Sequence, residues 1–257
     1  MIEPGDIRRL NLGYYTMPSD SRLAGQKIAC CAYLVRYPGG LLLFDTGIGV
    51  GHAEADSEFG PMLRQPLQAE LSRIGLRLSD VSAVANCHLH LDHCGNNQLF
   101  PGTPIFVQQQ ELDALPSLDY VLPEMVYFAG AALEIHDGEA DIAAGLRIIP
   151  TPGHTPGHQS LLVETTRGTI LVAGQAADSA SDYGRAQFSL DVAAAEAAPA
   201  SAAPASAVPA SAVPASTAPA WQSAMQGLGI RLALFAHDLT AWDRDQAAAQ
   251  VPHLAAR

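Results

Sequence analysis

Apolar residues fall into short runs separated by glycine, proline and polar clusters, and each run predicts one element. Residues 28–36 and 41–44 read as two strands joined by a turn at Pro38-Gly39-Gly40. The polar, glycine-bearing stretch 48–62 reads as a loop. Leu63, Leu67, Leu71 and Ile74 then recur at helical spacing, which predicts a helix with Pro66 in its first turn. The run 81–85 has the length and composition of a buried strand, 104–108 forms another, and 109–115 a helix. Strands follow over 146–149, 159–164 and 169–173, the last two closing as a hairpin at Gly168, and 231–236 is the final strand. The stretch 116–132 is less regular and carries Tyr120, Leu122, Met125, Tyr127 and Phe128. Core packing and a groove capping a site both fit those residues.

Between 192 and 220 this patterning stops. Pro199, Pro204, Pro209 and Pro214 each open an imperfect five-residue repeat of alanine, serine and valine or threonine. Proline at that interval rules out a regular helix, and alanine and serine offer little to bury. The segment is expected to be a flexible insert inside a single domain spanning 1–257, with 221–228 the remnant of a helix.

Composition narrows the class. The chain has 257 residues, 48% of them hydrophobic, enough for one sizeable α/β core. No apolar run reaches the roughly 18 residues that span a bilayer, and the start, Met1-Ile-Glu-Pro-Gly-Asp, lacks a signal peptide's basic and apolar regions. The expected location is the cytoplasm, with no membrane partner. A formal net charge of −12, with Lys27 the single lysine, repels phosphate backbones and argues against a nucleic-acid partner. Adjacent Cys30 and Cys31 face opposite sides of a strand, which is not a disulfide framework. Cys87 and Cys94 read as small buried thiols, with metal ligation as the alternative.

The densest chemistry is His88-Leu89-His90-Leu91-Asp92-His93, directly after the 81–85 run. Alternation along an extended backbone puts His88 and His90 on one side. Asp92 and His93 follow where the chain turns and approach the same space from another direction. Imidazole and carboxylate together suit zinc and neighbouring divalent metals.

This motif resembles the signature of the metallo-β-lactamase superfamily, whose members are mostly metal-dependent hydrolases. Thr151-Pro-Gly-His154-Thr-Pro-Gly-His158-Gln-Ser resembles its second histidine motif and Phe235-Ala-His237-Asp238 its last. Within the superfamily the chain is most similar to the N-acyl-homoserine lactonases, through CHLHLDHCGNN, TPGHTPGHQSLLVET and LFAHD together. The resemblance implies an α/β fold, a four-layer αββα sandwich of two mixed sheets flanked by helices. It implies two zinc ions, other divalent metals being alternatives, with His88, His90 and His154 holding the first and Asp92, His93 and His237 the second. Metal-bound hydroxide would open the ring of a small-molecule lactone, a quorum-quenching activity, with Asp92 as the catalytic proton carrier. Asp45, in Asp45-Thr46-Gly47, would orient a metal-bound imidazole; a turn residue ahead of Gly47 is the other reading. His158 fits a hydrogen-bonded structural histidine.

One departure stands out. Where the resembled lactonases carry a metal-bridging aspartate and then a substrate-contacting tyrosine, this chain has Gln175 and Asp178. A neutral amide binds divalent metal less strongly than a carboxylate and bridges poorly, so the second ion is expected to bind weakly. Asp178 as a substitute ligand and Tyr183 as a substitute phenol are both left open. The alternative function is hydrolysis of another ester, a thioester or a phosphodiester, or a weakly active metal-binding relative.

Overall fold

The computed structural model describes residues 1–17, 19, 23–49, 63–197 and 218–250. One sheet has the spatial order β4 (Leu63–Arg64), β1 (Ile7–Thr16), β2 (Lys27–Tyr37), β3 (Gly40–Phe44), β5 (Ala83–Ala85), β6 (Pro104–Gln108) and β7 (Ala132–His136). Its first half is antiparallel, whereas β3, β5, β6 and β7 run parallel. The second sheet has the order β13 (Trp242–Asp243), β12 (Ile230–Phe235), β11 (Gly168–Gly174), β10 (Gln159–Thr165), β9 (Leu146–Pro150) and β8 (Ala140–Ala143). Only its β11–β12 pair is parallel. The helices are α1 (Leu67–Arg73), α2 (Leu91–Cys94), α3 (Gln109–Ala114), α4 (Pro123–Val126), α5 (Ala180–Ala197), α6 (Ala220–Ala224) and α7 (Arg244–Gln250). None of the described helices is long and apolar enough to cross a membrane.

Strand alternation builds the layers. On β2, Cys30, Ala32 and Leu34 enter a core with Leu67 and Leu71 of α1, Leu91 of α2 and Met125 of α4. Their neighbours Ala29, Cys31, Tyr33 and Val35 face the other way, against Leu146, Ile148, Leu161 and Val163 of the second sheet. Cys30 and Cys31 thus lie in different cores, as their adjacency requires. The outer face of the second sheet, through Leu162, Leu171 and Ala173, packs on Ala180 and Tyr183 of α5 and Trp221 of α6. Two sheets with helices outside each give the expected αββα sandwich.

The sequence reading did not name β7, β8, β13 or α7, and three further elements differ from it. The long strand β1 was not predicted, because Arg8, Arg9 and Gly13 interrupt its apolar alternation. Its register slips between Asn11, opposite Cys31, and Tyr14, opposite Ala29, so β1 carries one extra residue there. Gly13 takes φ 124° at this bulge and gives its N–H to Asn11 Oδ1 at 3.0 Å. The extra residue reverses the alternation, so Tyr15, not Tyr14, shares a face with Leu10 and Leu12.

Leu63 does not join the helix predicted from 63 to 74. It pairs with Tyr14 in β4, and α1 starts at Leu67 because Pro66 stands outside it at ψ 131°. Residues 192–197 are not part of a repeat insert but complete α5, an 18-residue helix that alanine-rich sequence favours. The helix expected to survive only over 221–228 is therefore present, ahead of the repeat. The repeat itself, from 198 to 217, lies outside the described residues.

Candidate metal centre

Four strand ends converge at one rim of the sandwich. β5 stops at Ala85, and the chain bends through His88 to His90, which caps α2 at φ −67° and ψ 150° and so places Asp92 and His93 in its single turn. His154 follows β9, Gln175 follows β11 and His237 follows β12. At the end of β11, Gly174 sits at φ 60°. A Cβ there would lie 2.5 Å from Cys87 Cβ, so only glycine lets β11 press this close and deliver Gln175.

His88, His90 and His154 form one donor set, their ligand atoms within 4.8 Å of one another. His90 Nδ1 and His154 Nε2 are 3.2 Å apart. His88 Nε2 is buried without a hydrogen-bond partner, which costs about 1–3 kcal/mol unless a cation takes its lone pair. His154 is exposed and His90 half-buried, so this set opens to solvent.

Asp92, His93, His237 and Gln175 form the second set, with the first three buried and Gln175 half-buried at the cleft. His93 Nε2 lies 3.2 Å from His237 Nε2, and Asp92 Oδ2 is 3.5 Å from each. His93 Nδ1 donates to Asp45 Oδ2 at 2.9 Å and His237 Nδ1 to the Ala29 carbonyl at 2.9 Å. Those two bonds leave both Nε2 atoms facing inward. Four ligands at 2.0–2.1 Å around tetrahedral zinc are about 3.3–3.4 Å apart, which the spacing of these donors matches.

The electrostatics suit the same use. Burial, and then the neighbouring imidazoles, hold His88 well below its ordinary pKa, and burial brings His90 down to about 4, so both are neutral and carry free lone pairs. Burial would lower His93 too, but the Asp92 and Asp45 carboxylates outweigh it and raise it to about 9. Burial would raise Asp92, yet His93, His237 and the Tyr15 hydroxyl keep it ionised, well below the usual carboxylate range. A metal bound to this set would take the place of a proton on His93.

A surrounding ring holds the donors. Asp45, in left-handed backbone at φ 64°, accepts from Cys87 N at 2.7 Å through Oδ1 while Oδ2 takes His93. Tyr15 donates to Asp92 Oδ2 at 2.6 Å, and its ring lies edge-on to His237 at 5.9 Å. The Cys87 thiol sits behind the imidazoles, 3.1 Å from His88 Nδ1 and 3.2 Å from His93 Nδ1, and burial keeps it protonated. His158 donates from Nδ1 to Thr151 Oγ1 at 2.8 Å and accepts Gln175 N–H at 3.2 Å, a structural histidine as its spacing suggested. Glu111 of α3 clamps both metal-motif loops from below: Oε1 accepts Leu89 N at 3.0 Å, and Oε2 accepts Thr155 Oγ1 at 2.7 Å and Gly157 N at 3.0 Å. Glu111→Ala is expected to cost at least about 2 kcal/mol of stability, each orphaned donor being worth about 1–3 kcal/mol. Equal denaturation midpoints for variant and parent would show the clamp to be idle.

Among the remaining expectations, Asp178 borders a cleft of about 360 Å³ with His154, Gln175 and Arg185. Tyr183, left open as a replacement for the substrate-contacting phenol, also lines this cleft. Its ring is 1% exposed and packs on Phe235 and Trp242 at 5.8 and 5.0 Å. The phenol at the donors is Tyr15, from the unpredicted strand. In the aromatic stretch, Met125 and Val126 belong to the core, whereas the Tyr120 ring lies 6.2 Å from His90.

A fold of two mixed sheets with paired donor sets at its rim defines a class. Residues 27–180 match the family described as the metallo-beta-lactamase superfamily, and the chain belongs to it. It is 33% identical over 152 residues to an N-acyl homoserine lactonase from Bacillus sp, covering 54% of this chain and 60% of that protein. The Bacillus cereus N-acyl homoserine lactonase is 30% identical over 151 residues, with the same coverage. The chain therefore spans less than two thirds of the length of these relatives. Among solved structures, an N-acyl homoserine lactone hydrolase with the product N-hexanoyl-L-homoserine at its catalytic metal center superposes with a TM-score of 0.66 at 21% identity, covering 93% of this chain and 94% of that one. AidC, a dizinc quorum-quenching lactonase, gives 0.54 at 20% identity over 67% of this chain and 72% of that one. These two likenesses show the fold.

Proposed function

We propose that the protein is a metal-dependent hydrolase that opens the lactone ring of N-acyl homoserine lactones, in the cytoplasm. The observation that carries this reading is the convergence of inward-facing ligand atoms into two adjacent donor sets beside a cleft. The lactonases among the relatives support the substrate. His88, His90 and His154 would hold one zinc, and Asp92, His93 and His237 the other. Bound divalent ions supply an activated water and polarise the substrate carbonyl.

The chain's own groups orient and move protons. Asp92 borders both sets, its carboxylate within 4.8 Å of donor atoms of His88 and His93. It would take the proton released by the attacking water and deliver it to the ring oxygen as the acyl–oxygen bond breaks. Tyr15 holds the Asp92 carboxylate in place, and the acyl chain lies in the cleft beyond His154 and Gln175. Tyr15→Phe should weaken zinc binding at the Asp92 set about 10-fold, the scale of an outer partner; isothermal titration yielding the parent's affinity would remove Tyr15 from this role. The function is tested by incubating zinc-loaded protein with N-hexanoyl-homoserine lactone. Proton release and a mass gain of one water are expected. Turnover confined to a thioester or a phosphodiester would refute the substrate.

A further inference from the structure

Gln175 occupies a position that local geometry determines. Its Oε1 is 3.1 Å from His237 Nε2 and 3.3 Å from His93 Nε2. With Asp92 Oδ2 at 3.5 Å from the same two nitrogens, these donor–donor distances, 3.1–3.5 Å, bracket the edge length of a tetrahedral zinc site. The side chain is held there from behind, by the Gln175 N–H to His158 Nε2 and by the close seat of Gly174 on Cys87. Amide oxygen is a competent neutral ligand for divalent metals.

We infer that Gln175 is the fourth protein ligand of a closed metal position made with Asp92, His93 and His237. The reactive ion then sits only at the open His88–His90–His154 position. This rests on the metal-centre reading above and divides the labour within it. Zinc sites closed by four protein ligands are structural, whereas catalytic sites keep three and leave one position for water or substrate. The three-histidine set has that form, with His154 exposed at the cleft, whereas Asp92, His93 and His237 are 5%, 1% and 9% exposed and the half-buried Gln175 is the member of their set that reaches the cleft. Gln175 also brings no charge, so the residue after β11 supplies no carboxylate to tie the two ions into an exchange-coupled pair.

The test uses the full chain loaded with Co²⁺, with azide as the probe. Two Co²⁺ per chain are expected, with an EPR signal of two uncoupled high-spin ions, and azide should shift the visible absorption of one of them. Gln175→Ala opens the second position, and azide should then perturb both. Gln175→Asp tests the charge separately and should draw the ions into exchange coupling. A coupled pair in the parent overturns the inference. So does azide reaching both parental ions, which would mean that the amide presents its nitrogen and leaves three donors. One Co²⁺ per chain overturns it, and none overturns the metal centre as well.

Discussion

His90→Ala should abolish lactone turnover and reduce bound metal while leaving a folded protein. His90 is one of three donors in its set, with Nδ1 3.2 Å from His154 Nε2. Two imidazoles do not hold zinc in an open site that ordinarily takes three protein ligands. The fall in affinity should exceed about 100-fold, because partners that only touch a ligand are already worth about 10–100-fold. The fold should survive, since His90 is half-buried and caps α2 through its extended backbone rather than its side chain. Elemental analysis and a turnover assay on the same sample decide it. Parental metal content and rate in the variant would remove His90 from the site.

Asp45→Asn should cost about 10–100-fold in affinity at the Asp92 set, although this side chain acts on the metal only through His93. The argument is one of tautomers. Asp45 accepts two hydrogen bonds, from Cys87 N and from His93 Nδ1, and an amide can accept only through its single oxygen. If the amide oxygen stays on Cys87, its NH₂ faces His93 Nδ1, which must then accept. The His93 proton moves to Nε2, the atom that faces Asp92, His237 and Gln175. Asparagine tolerates φ 64° as aspartate does, so backbone strain is unchanged and does not confound the result. Zinc titration giving equal constants for variant and parent would show that Asp45 serves only the turn.

What the sequence made legible is local. Six of the site's side chains come from three motifs, and a ligand motif can be read because its spacing survives in one dimension. The layers were legible for the same reason, since alternation on β2 sorts Cys30 from Cys31. Tyr15 and Glu111 act through contacts 77 and 44 positions away along the chain, and no spacing records those, whereas Gln175 was placed by the resemblance. Tyr15 was further hidden by the bulge at Gly13, which breaks the alternation that would have marked β1. A signal for Glu111 did exist: an acidic residue at the start of a short helix after a buried strand, at a place that is itself fully buried. Its burial needed the fold. The α5 helix was obscured by alanine-rich composition running straight into the proline repeat.

The most direct measurement is the metal content of the purified chain after refolding with zinc and removal of the excess. Paired donor sets, one of three imidazoles and one built on Asp92, His93 and His237, predict two ions per chain. A chain that refolds and retains no zinc would contradict the metal centre.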